Sequence, residues 1–327
     1  MPFKCLCTLE DLPSEGYNPA AARRLAGGQR RFPHRFDFNR SDVLEYRQST
    51  AERMSISGMQ DKISLILRKG VLVPAAEGGE YILKPIPSGT IPKFKDDVPA
   101  NEQLTMLIAN TVYGISTAVC ALILFKNGEP AYITKRFDRM PNGAKVAQED
   151  FCQLLGFTDE IHGKSYKYEG SYEETGEAVS ANCSARAVEL DKLFTRILFN
   201  YVFSNGDAHL KNFSIIQKKQ GDYILSPAYD LICTSVHFPD ESRCALELFK
   251  DGYETESFKL NAFHKRPDFI RLASLFGIKE RRAIETIESF PAGKEDVLRL
   301  VKGSFLSKEA KKDYAWRFED RLKAIHD

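Results

Sequence analysis

The sequence predicts an α+β protein of two lobes, with a β-rich N-terminal lobe over residues 1–140 and an all-helical C-terminal lobe over residues 141–327. Short segments rich in leucine, isoleucine and valine, bounded by glycine and proline, follow residue 62. Beyond residue 265 the apolar residues recur instead at the spacing of one helix face. Strands gathered ahead of helices are typical of the α+β class.

The N-terminal lobe is expected to begin with a leader and three strands. Residues 1–50 are polar and basic, which predicts a loosely packed leader with one or two short helices. Strands are predicted at 64–67, 70–74 and 81–84. Pro85 is expected to end the third strand, because proline has no amide hydrogen to donate to a β-ladder.

A helix and a hairpin are predicted next. Asn101 can cap the helix and Gly114 can end it. Apolar runs at 119–125 and 131–134 flank an Asn-Gly pair, which is the strongest short signal for a β-hairpin.

The C-terminal lobe is predicted to be helical around one long loop. A helix is expected from Gln148 to Leu155, and a core helix from Val188 to Ser204. Residues 158–182 are polar and rich in glycine and tyrosine, so they are expected to form an exposed loop. Further amphipathic helices are predicted near 267–276, 279–290, 294–302 and 308–325.

Composition limits the classes of function. The chain has 327 residues, 43% of them apolar, and a formal charge of +1, which does not favour direct binding to nucleic acid. The sequence has no run of 18 or more apolar residues, so no transmembrane helix is predicted. The first residues lack the apolar core of a signal peptide. Seven cysteines, most of them single within apolar runs, favour a reducing, cytoplasmic setting.

The clearest chemical pattern lies in a loop after the predicted core helix. Asp207 is followed by Asn212 and, after a short apolar run, by Asp230. This spacing is that of a phosphoryl-transfer site, in which the first Asp orients the attacking hydroxyl while the Asn and the second Asp hold Mg²⁺ against the nucleotide phosphates. The simpler interpretation is that Asn205-Gly206-Asp207 is an ordinary turn and that Asp230 is a surface charge. The three residues together, at this spacing, favour the functional interpretation.

Other residues fit the same chemistry less specifically. Lys84, at the end of a strand, can reach the phosphates, or can be an edge charge. Glu102 can pair with Lys84, or can simply favour the first turn of its helix. His209 is expected to brace the loop, and Lys211 to face either the transferred phosphate or solvent.

Two segments complete the predicted nucleotide site. The serine-rich stretch around Ser57, Gly58 and Gln60 permits close approach of the backbone to phosphates, or is only a turn. The segment Arg136, Phe137 and Asp138 ends the predicted hairpin, where backbone groups can contact adenine and Asp138 can contact ribose.

Seven blocks of the chain, in order, resemble the HipA family of bacterial serine/threonine kinase toxins. They cover about residues 50–235. The blocks are Ser57-Gly58-Met59-Gln60-Asp61-Lys62, Tyr81-Ile82-Leu83-Lys84-Pro85, Asn101-Glu102, Arg136-Phe137-Asp138-Arg139, Gln148-Glu149-Asp150-Phe151-Cys152-Gln153, Asp207-Ala208-His209-Leu210-Lys211-Asn212-Phe213-Ser214 and Pro227-Ala228-Tyr229-Asp230-Leu231.

The resemblance implies a two-lobed kinase-like fold that uses ATP and Mg²⁺ and phosphorylates a protein serine. By position it implies Asp207 as the catalytic Asp, Asn212 and Asp230 as Mg²⁺ ligands, Lys84 as the ATP lysine and Arg136 to Asp138 as the nucleotide hinge. It also implies autophosphorylation in the serine-rich loop, here at Ser55 or Ser57.

The short HipT type is the more similar subgroup, because only about fifty residues precede the serine-rich loop and two serines lie within it. That subgroup implies a helix-turn-helix antitoxin, a small separate HipS-like protein and an aminoacyl-tRNA synthetase as target. Departures include the absence of Gly-Gly-Pro after Lys167-Tyr168-Glu169. A small-molecule phosphotransferase, and an ATP-binding pseudokinase or partner-binding module, remain as alternatives.

Overall fold

The computed structural model describes residues 2–29, 31–42, 61–140 and 143–326. The predicted serine-rich phosphate loop, with Ser55, Ser57, Gly58 and Gln60, lies outside the described residues.

A two-stranded ladder, β1 Phe3–Lys4 with β2 Asp11–Leu12, comes first in the chain. A five-stranded antiparallel sheet follows, with the strands β3 Ile63–Arg68, β4 Val71–Pro74, β5 Tyr81–Pro85, β6 Cys120–Leu124 and β7 Pro130–Lys135. Their order in the sheet is β4-β3-β5-β7-β6. The three predicted strands and the predicted hairpin of this sheet are confirmed.

Side chains along β5 alternate between the two faces of the sheet, so Lys84 lies on the opposite face from Tyr81 and Leu83. Tyr81 and Leu83 point into a cluster of buried side chains on the outer face of the sheet. Lys84 pairs across the ladder with Tyr132 of β7, and its ammonium lies 5.3 Å from the centre of that ring. Residues directly opposite in a ladder share a face, so Lys84 lies on the inner face of the sheet.

The helix Val98–Thr111 packs against this inner face, and it begins earlier than predicted. Pro99 occupies its first turn, a position that proline favours because the amide there has no helical partner. Asn101 is therefore inside the helix and is not its cap. Its buried amide donates to the carbonyl of Cys233 at 2.9 Å and accepts from the Cys233 amide at 3.0 Å.

The prediction that residues 141–327 are all helical is wrong. They contain a three-stranded antiparallel sheet of β8 Gln148–Asp150, β9 Ser214–Gln217 and β10 Tyr223–Leu225. Gln148 begins this strand and not a helix. The following helix, Phe151–Leu155, starts where the Asp150 carboxylate accepts from the Gln153 amide at 3.0 Å and the Gln153 side chain accepts from the Asp150 amide at 2.9 Å.

The expected exposed loop over 158–182 is also wrong, because most of it is ordered by its tyrosines and by a helix cap. Ser171 caps the helix Tyr172–Asn182 through the amide of Glu174. Tyr172 is 2% exposed, and its hydroxyl donates to the carbonyl of Ala208 at 2.9 Å. The segment also contains a helical turn, Asp159–His162, and a 3₁₀ turn, Tyr166–Tyr168.

Five further helices lie close to their predicted positions: Arg186–Val202, Arg266–Leu275, Glu280–Ala292, Lys294–Gly303 and Lys308–His326. The short helix Glu256–Asn261 was not predicted. Together with the helix Val98–Thr111 the five helices enclose a large core. None of the helices in the described residues is both long enough and apolar enough to span a membrane.

The described part of the N-terminal leader contains a short helix, as predicted, but it is well packed and not loosely packed. It contains the helix Pro19–Ala26, in which Leu25 is fully buried against the sheet. The Tyr17 hydroxyl donates to the carbonyl of Leu122 at 2.8 Å, and the Tyr81 hydroxyl donates to that of Leu25 at 2.7 Å. The sequence reads as polar because only one face of this segment is apolar.

Candidate functional site

Lys84 joins the five-stranded sheet to the C-terminal half of the chain. Its Nζ lies 2.5 Å from Oε1 of Glu102 and 2.6 Å from Oδ1 of Asp230. Lys84 is 3% exposed and Glu102 1% exposed, so the lysine and one of its carboxylates are almost fully removed from water. The predicted pairing of Lys84 with Glu102 is observed.

Burial and charge oppose each other in this triad. Burial acts to lower the pKa of Lys84, but the carboxylates of Asp230 and Glu102 outweigh it and raise that pKa above its ordinary value. Burial raises the pKa of Glu102 to about 7, although Lys84 acts against the rise. Burial also acts to raise the pKa of Asp230, yet Lys62 and Lys84 together hold it far below its usual range. Of the two carboxyl groups in the triad, Asp230 is therefore the one that stays ionised.

Lys62 forms an ion pair with Asp230 that was not predicted from the sequence. Its Nζ lies 3.3 Å from Oδ2 of Asp230, so the two carboxylate oxygens of Asp230 face different lysines. Lys62 is the last residue of a motif block whose predicted role rested on its serines and glycine. The signal available in the sequence was only its position immediately before β3.

Asn205 connects the loop of Asp207 to the loop of Asp230. Its Oδ1 accepts from the amide of Asp207 at 3.3 Å, and its Nδ2 donates to the carbonyl of Asp230 at 3.4 Å. Nδ2 also donates at 2.8 Å to the side chain of Asn200 in the core helix. Asp230 itself has a φ of 55°, in the left-handed region that aspartate tolerates better than most residues.

The turn before Asp207 needs a glycine. The amide of Gly206 donates to Thr234 Oγ1 at 2.7 Å. A Cβ built on Gly206 would lie 2.6 Å from the carbonyl oxygen of Ser242 and 2.7 Å from Cδ of Glu241. The backbone therefore approaches a neighbouring loop more closely than any side chain allows.

Asn212 is fixed by the same loop. Its Nδ2 donates to the backbone carbonyl of Asp207 at 2.7 Å, which leaves its carbonyl oxygen free of hydrogen bonds to the described residues. That oxygen and the carboxylate of Asp230 are ligand types that suit Mg²⁺. No group of three or more His, Cys, Asp or Glu side chains with metal-binding geometry occurs among the described residues, so the fit rests on these two oxygen donors.

His209 and Lys211 point toward the turn Tyr166–Tyr168. Burial lowers the pKa of His209 to about 4, so its imidazole is neutral at physiological pH, and its Nε2 lies 2.9 Å from Nζ of Lys167. This contact agrees with a bracing role for His209. Lys211 Nζ donates to the Tyr166 hydroxyl at 2.9 Å, and the Tyr168 hydroxyl donates to Oδ1 of Asp207. Sequence reasoning missed both tyrosines, because it treated their segment as a solvent-exposed loop.

The predicted hinge lies beside the Asp230 loop. The ring of Phe137 is 5.6 Å from that of Tyr229, which directly precedes Asp230. The Asp138 carboxylate accepts from Nε and Nη2 of Arg136 at 2.8 and 2.6 Å and is 3% exposed. This bidentate pair favours a structural role for Asp138 over contact with ribose, which stays a prediction.

Comparison with known proteins identifies relatives. The family described as "HipA-like C-terminal domain" matches residues 54–296, more than half of the chain. A protein of Haemophilus influenzae named "Putative kinase" is 26% identical over 306 residues, which cover 89% of this chain and 87% of that protein.

Two matches come from Shewanella oneidensis. Its protein named serine/threonine-protein kinase toxin HipA is 28% identical over 235 residues, which cover 64% of this chain and 51% of that protein. The solved HipA chain from its complex with HipB and operator DNA is similar in fold, with a TM-score of 0.66 and 17% identity, covering 96% of this chain and 80% of that one. From the family match, the chain belongs to the HipA-like C-terminal domain family.

Proposed function

We propose that this protein is an ATP-dependent serine/threonine protein kinase with a two-lobed kinase-like fold. The observation that carries the proposal is the direct contact of Lys84 with both Glu102 and Asp230. Kinases need a strand lysine paired with a helix glutamate to bind nucleotide phosphates, and a loop aspartate close by to hold the metal ion. The kinase names of two relatives support the same activity.

Each residue has a distinct role in the proposed reaction. Lys84 contacts the α- and β-phosphates, and Glu102 keeps its ammonium in place. Asn212 and Asp230 hold Mg²⁺, which when bound neutralises charge on the phosphates. Asp207, whose side chain is 50% exposed, orients an acceptor hydroxyl and takes up its proton.

The finer identity follows the family resemblance. We propose a toxin of the HipT type, with a helix-turn-helix antitoxin and a small HipS-like protein as partners and an aminoacyl-tRNA synthetase as the class of acceptor. Autophosphorylation at Ser55 or Ser57 places a charge of about −1.5 to −2 in the predicted phosphate loop, where it repels nucleotide. Support for the antitoxin comes from the Shewanella HipA structure, which is a complex with HipB and operator DNA.

The test is mass spectrometry of the purified chain after incubation with ATP and Mg²⁺. Phosphate on Ser55 or Ser57 is expected in the wild type and is expected to be lost in Asp207→Ala. Asp240→Ala is the matched control, because Asp240 is an exposed aspartate outside the site. Nucleotide binding without phosphate transfer to the chain or to any protein acceptor would indicate a pseudokinase. Phosphate transfer only to sugars or aminoglycosides would indicate a small-molecule phosphotransferase.

A further inference from the structure

The 3₁₀ turn Tyr166–Tyr168 lies over the loop that carries Asp207. The hydroxyl of Tyr168 donates a hydrogen bond to Oδ1 of Asp207, and its ring packs edge-on against the imidazole of His209, with 5.1 Å between the ring centres. Burial and the hydrogen bond to Asp207 raise the pKa of Tyr168, so the hydroxyl keeps its proton and remains a donor. The Tyr168 hydroxyl thus donates to Asp207 the same kind of hydrogen bond that the hydroxyl of an acceptor serine is proposed to donate.

The other two side chains of the turn also contact this loop. Lys167 Nζ lies 2.9 Å from His209 Nε2, and Tyr166 accepts from Lys211 at 2.9 Å. The Lys211 ammonium also lies 5.4 Å from the centre of the Tyr166 ring. Along the turn from its last residue to its first, the contacts move forward along the loop from Asp207 to Lys211. The two segments therefore run in opposite directions, which is one way that an extended peptide can lie along a binding groove.

These contacts compete with the chemistry proposed for Asp207. A serine hydroxyl must donate its hydrogen to the Asp207 carboxylate before it can be deprotonated and attack a phosphate. The Tyr168 hydroxyl already donates to Oδ1 of that carboxylate. Tyr168 is 40% exposed and lies outside the buried core, so the loss of core packing does not oppose displacement of its ring.

We propose that the turn Tyr166–Tyr168 is an internal competitor for the acceptor site, in which the Tyr168 hydroxyl stands where the hydroxyl of a protein acceptor must bind. The inference rests on the proposed function, because it takes Asp207 as the residue that receives the acceptor hydroxyl. The acceptor binds only when the turn is displaced, so its apparent affinity is its intrinsic affinity multiplied by the fraction of molecules in which the turn is open.

The test compares steady-state transfer from ATP to a synthetic peptide with the sequence of residues 50–62, which contains both serines. In Tyr168→Phe the ring remains and the hydroxyl is lost. The peptide KM is expected to fall about tenfold, since a hydrogen bond to a charged group is lost from the closed turn, while kcat is not reduced and the KM for ATP is unchanged. Tyr253→Phe is the matched control, because Tyr253 is an exposed tyrosine outside the site.

A second variant loosens the other end of the turn. Tyr166→Phe removes the acceptor of the Lys211 hydrogen bond and keeps Tyr168, so a smaller fall in peptide KM is expected. An unchanged or higher KM in both variants, or a fall in kcat alone, overturns the inference and leaves Tyr168 as a residue that only orients Asp207.

A failure of the proposed kinase activity would give a different result from a failure of the inference about the turn. If neither the wild type nor Tyr168→Phe transfers more phosphate than Asp207→Ala, the proposed activity falls and the inference falls with it. Transfer by Tyr168→Phe where the wild type shows none supports the inference, since it indicates that the turn closes the acceptor site fully.

Discussion

Nζ of Lys84 lies 2.6 Å from Oδ1 of Asp230, across a separation of 146 residues in the chain. The contact joins the end of a strand in the five-stranded sheet to a loop of the C-terminal half. A nucleotide and its metal ion must enter between these two groups in the proposed reaction, so the ion pair lies where the phosphates are proposed to bind.

Replacing Lys84 should destabilise the protein as well as abolish phosphate transfer. Lys84→Met leaves the buried carboxylate of Glu102 without its cation, and breaking a buried pair from one side costs about 3 to 5 kcal/mol. The loss of unfolding free energy should be smaller at pH 6 than at pH 8, because Glu102 can take up a proton. Urea unfolding of both proteins measures this difference, with the exposed Lys259→Met as control. Equal stability of the wild type and Lys84→Met at pH 8 would refute the energetic role of the pair.

The raised pKa of Glu102 predicts a pH dependence of stability with a definite sign. Its pKa is about 7 in the folded protein, against an ordinary value of 4.5, so between these values the folded state binds more protons than the unfolded state. The contribution of Glu102 to stability is therefore present at low pH and is lost as the pH rises through 7.

The measurement is the free energy of unfolding between pH 5 and pH 8. The wild type should lose about 2 to 3 kcal/mol relative to Glu102→Gln over this range, because the amide does not titrate. A difference that grows in the opposite direction would mean that Glu102 is ionised in the folded protein throughout.

Gly206 should not tolerate a methyl group. In Gly206→Ala the new Cβ must displace the backbone carbonyl of Ser242, which moves the turn that carries Asp207. We expect kcat to fall at least about tenfold, since misplacement of a catalytic group by an ångström can cost more than that. Gly303→Ala is the control, because its Cβ would meet no atom within 4 Å. Full activity of Gly206→Ala would show that this approach is not needed for positioning.

Asn205 should couple the two loops of the site. Asn205→Ala removes the hydrogen bonds to Asp207 and to the carbonyl of Asp230, so both the affinity for ATP with Mg²⁺ and the rate of transfer should fall. Calorimetric titration with a non-hydrolysable ATP analogue separates the first effect from the second. Asn182→Ala, on an exposed helix end, is the control. A change in the rate alone would indicate that Asn205 acts only on the Asp207 turn.

Local pattern predicted much of the fold and part of the site. The strands around Lys84, the hairpin and the four C-terminal helices were predictable, because each has the period of its own structure. The sequence also indicated the pairing of Lys84 with Glu102. The start of the helix Val98–Thr111 was not found, because the residues before Asn101 looked like a proline-rich loop.

The errors share a physical cause. The strand Gln148–Asp150 is only three residues long and is stabilised by pairing with Ser214–Gln217, which lies far along the chain. The turn Tyr166–Tyr168 is polar in composition and is held by contacts with Asp207, His209 and Lys211, which no local pattern encodes. Long-range contacts override local composition in both segments.

The first turns of the helix Val98–Thr111 hold two neighbouring side chains with different attachments. Glu102 contacts Lys84 on the sheet, whereas Asn101 is hydrogen-bonded to Cys233 in the loop just after Asp230. Any movement of the sheet relative to that loop must therefore break at least one of the two attachments. If the contact between Glu102 and Lys84 is the one that breaks, the helix stays with the loop, and amide hydrogen exchange in the helix should follow that around Cys233.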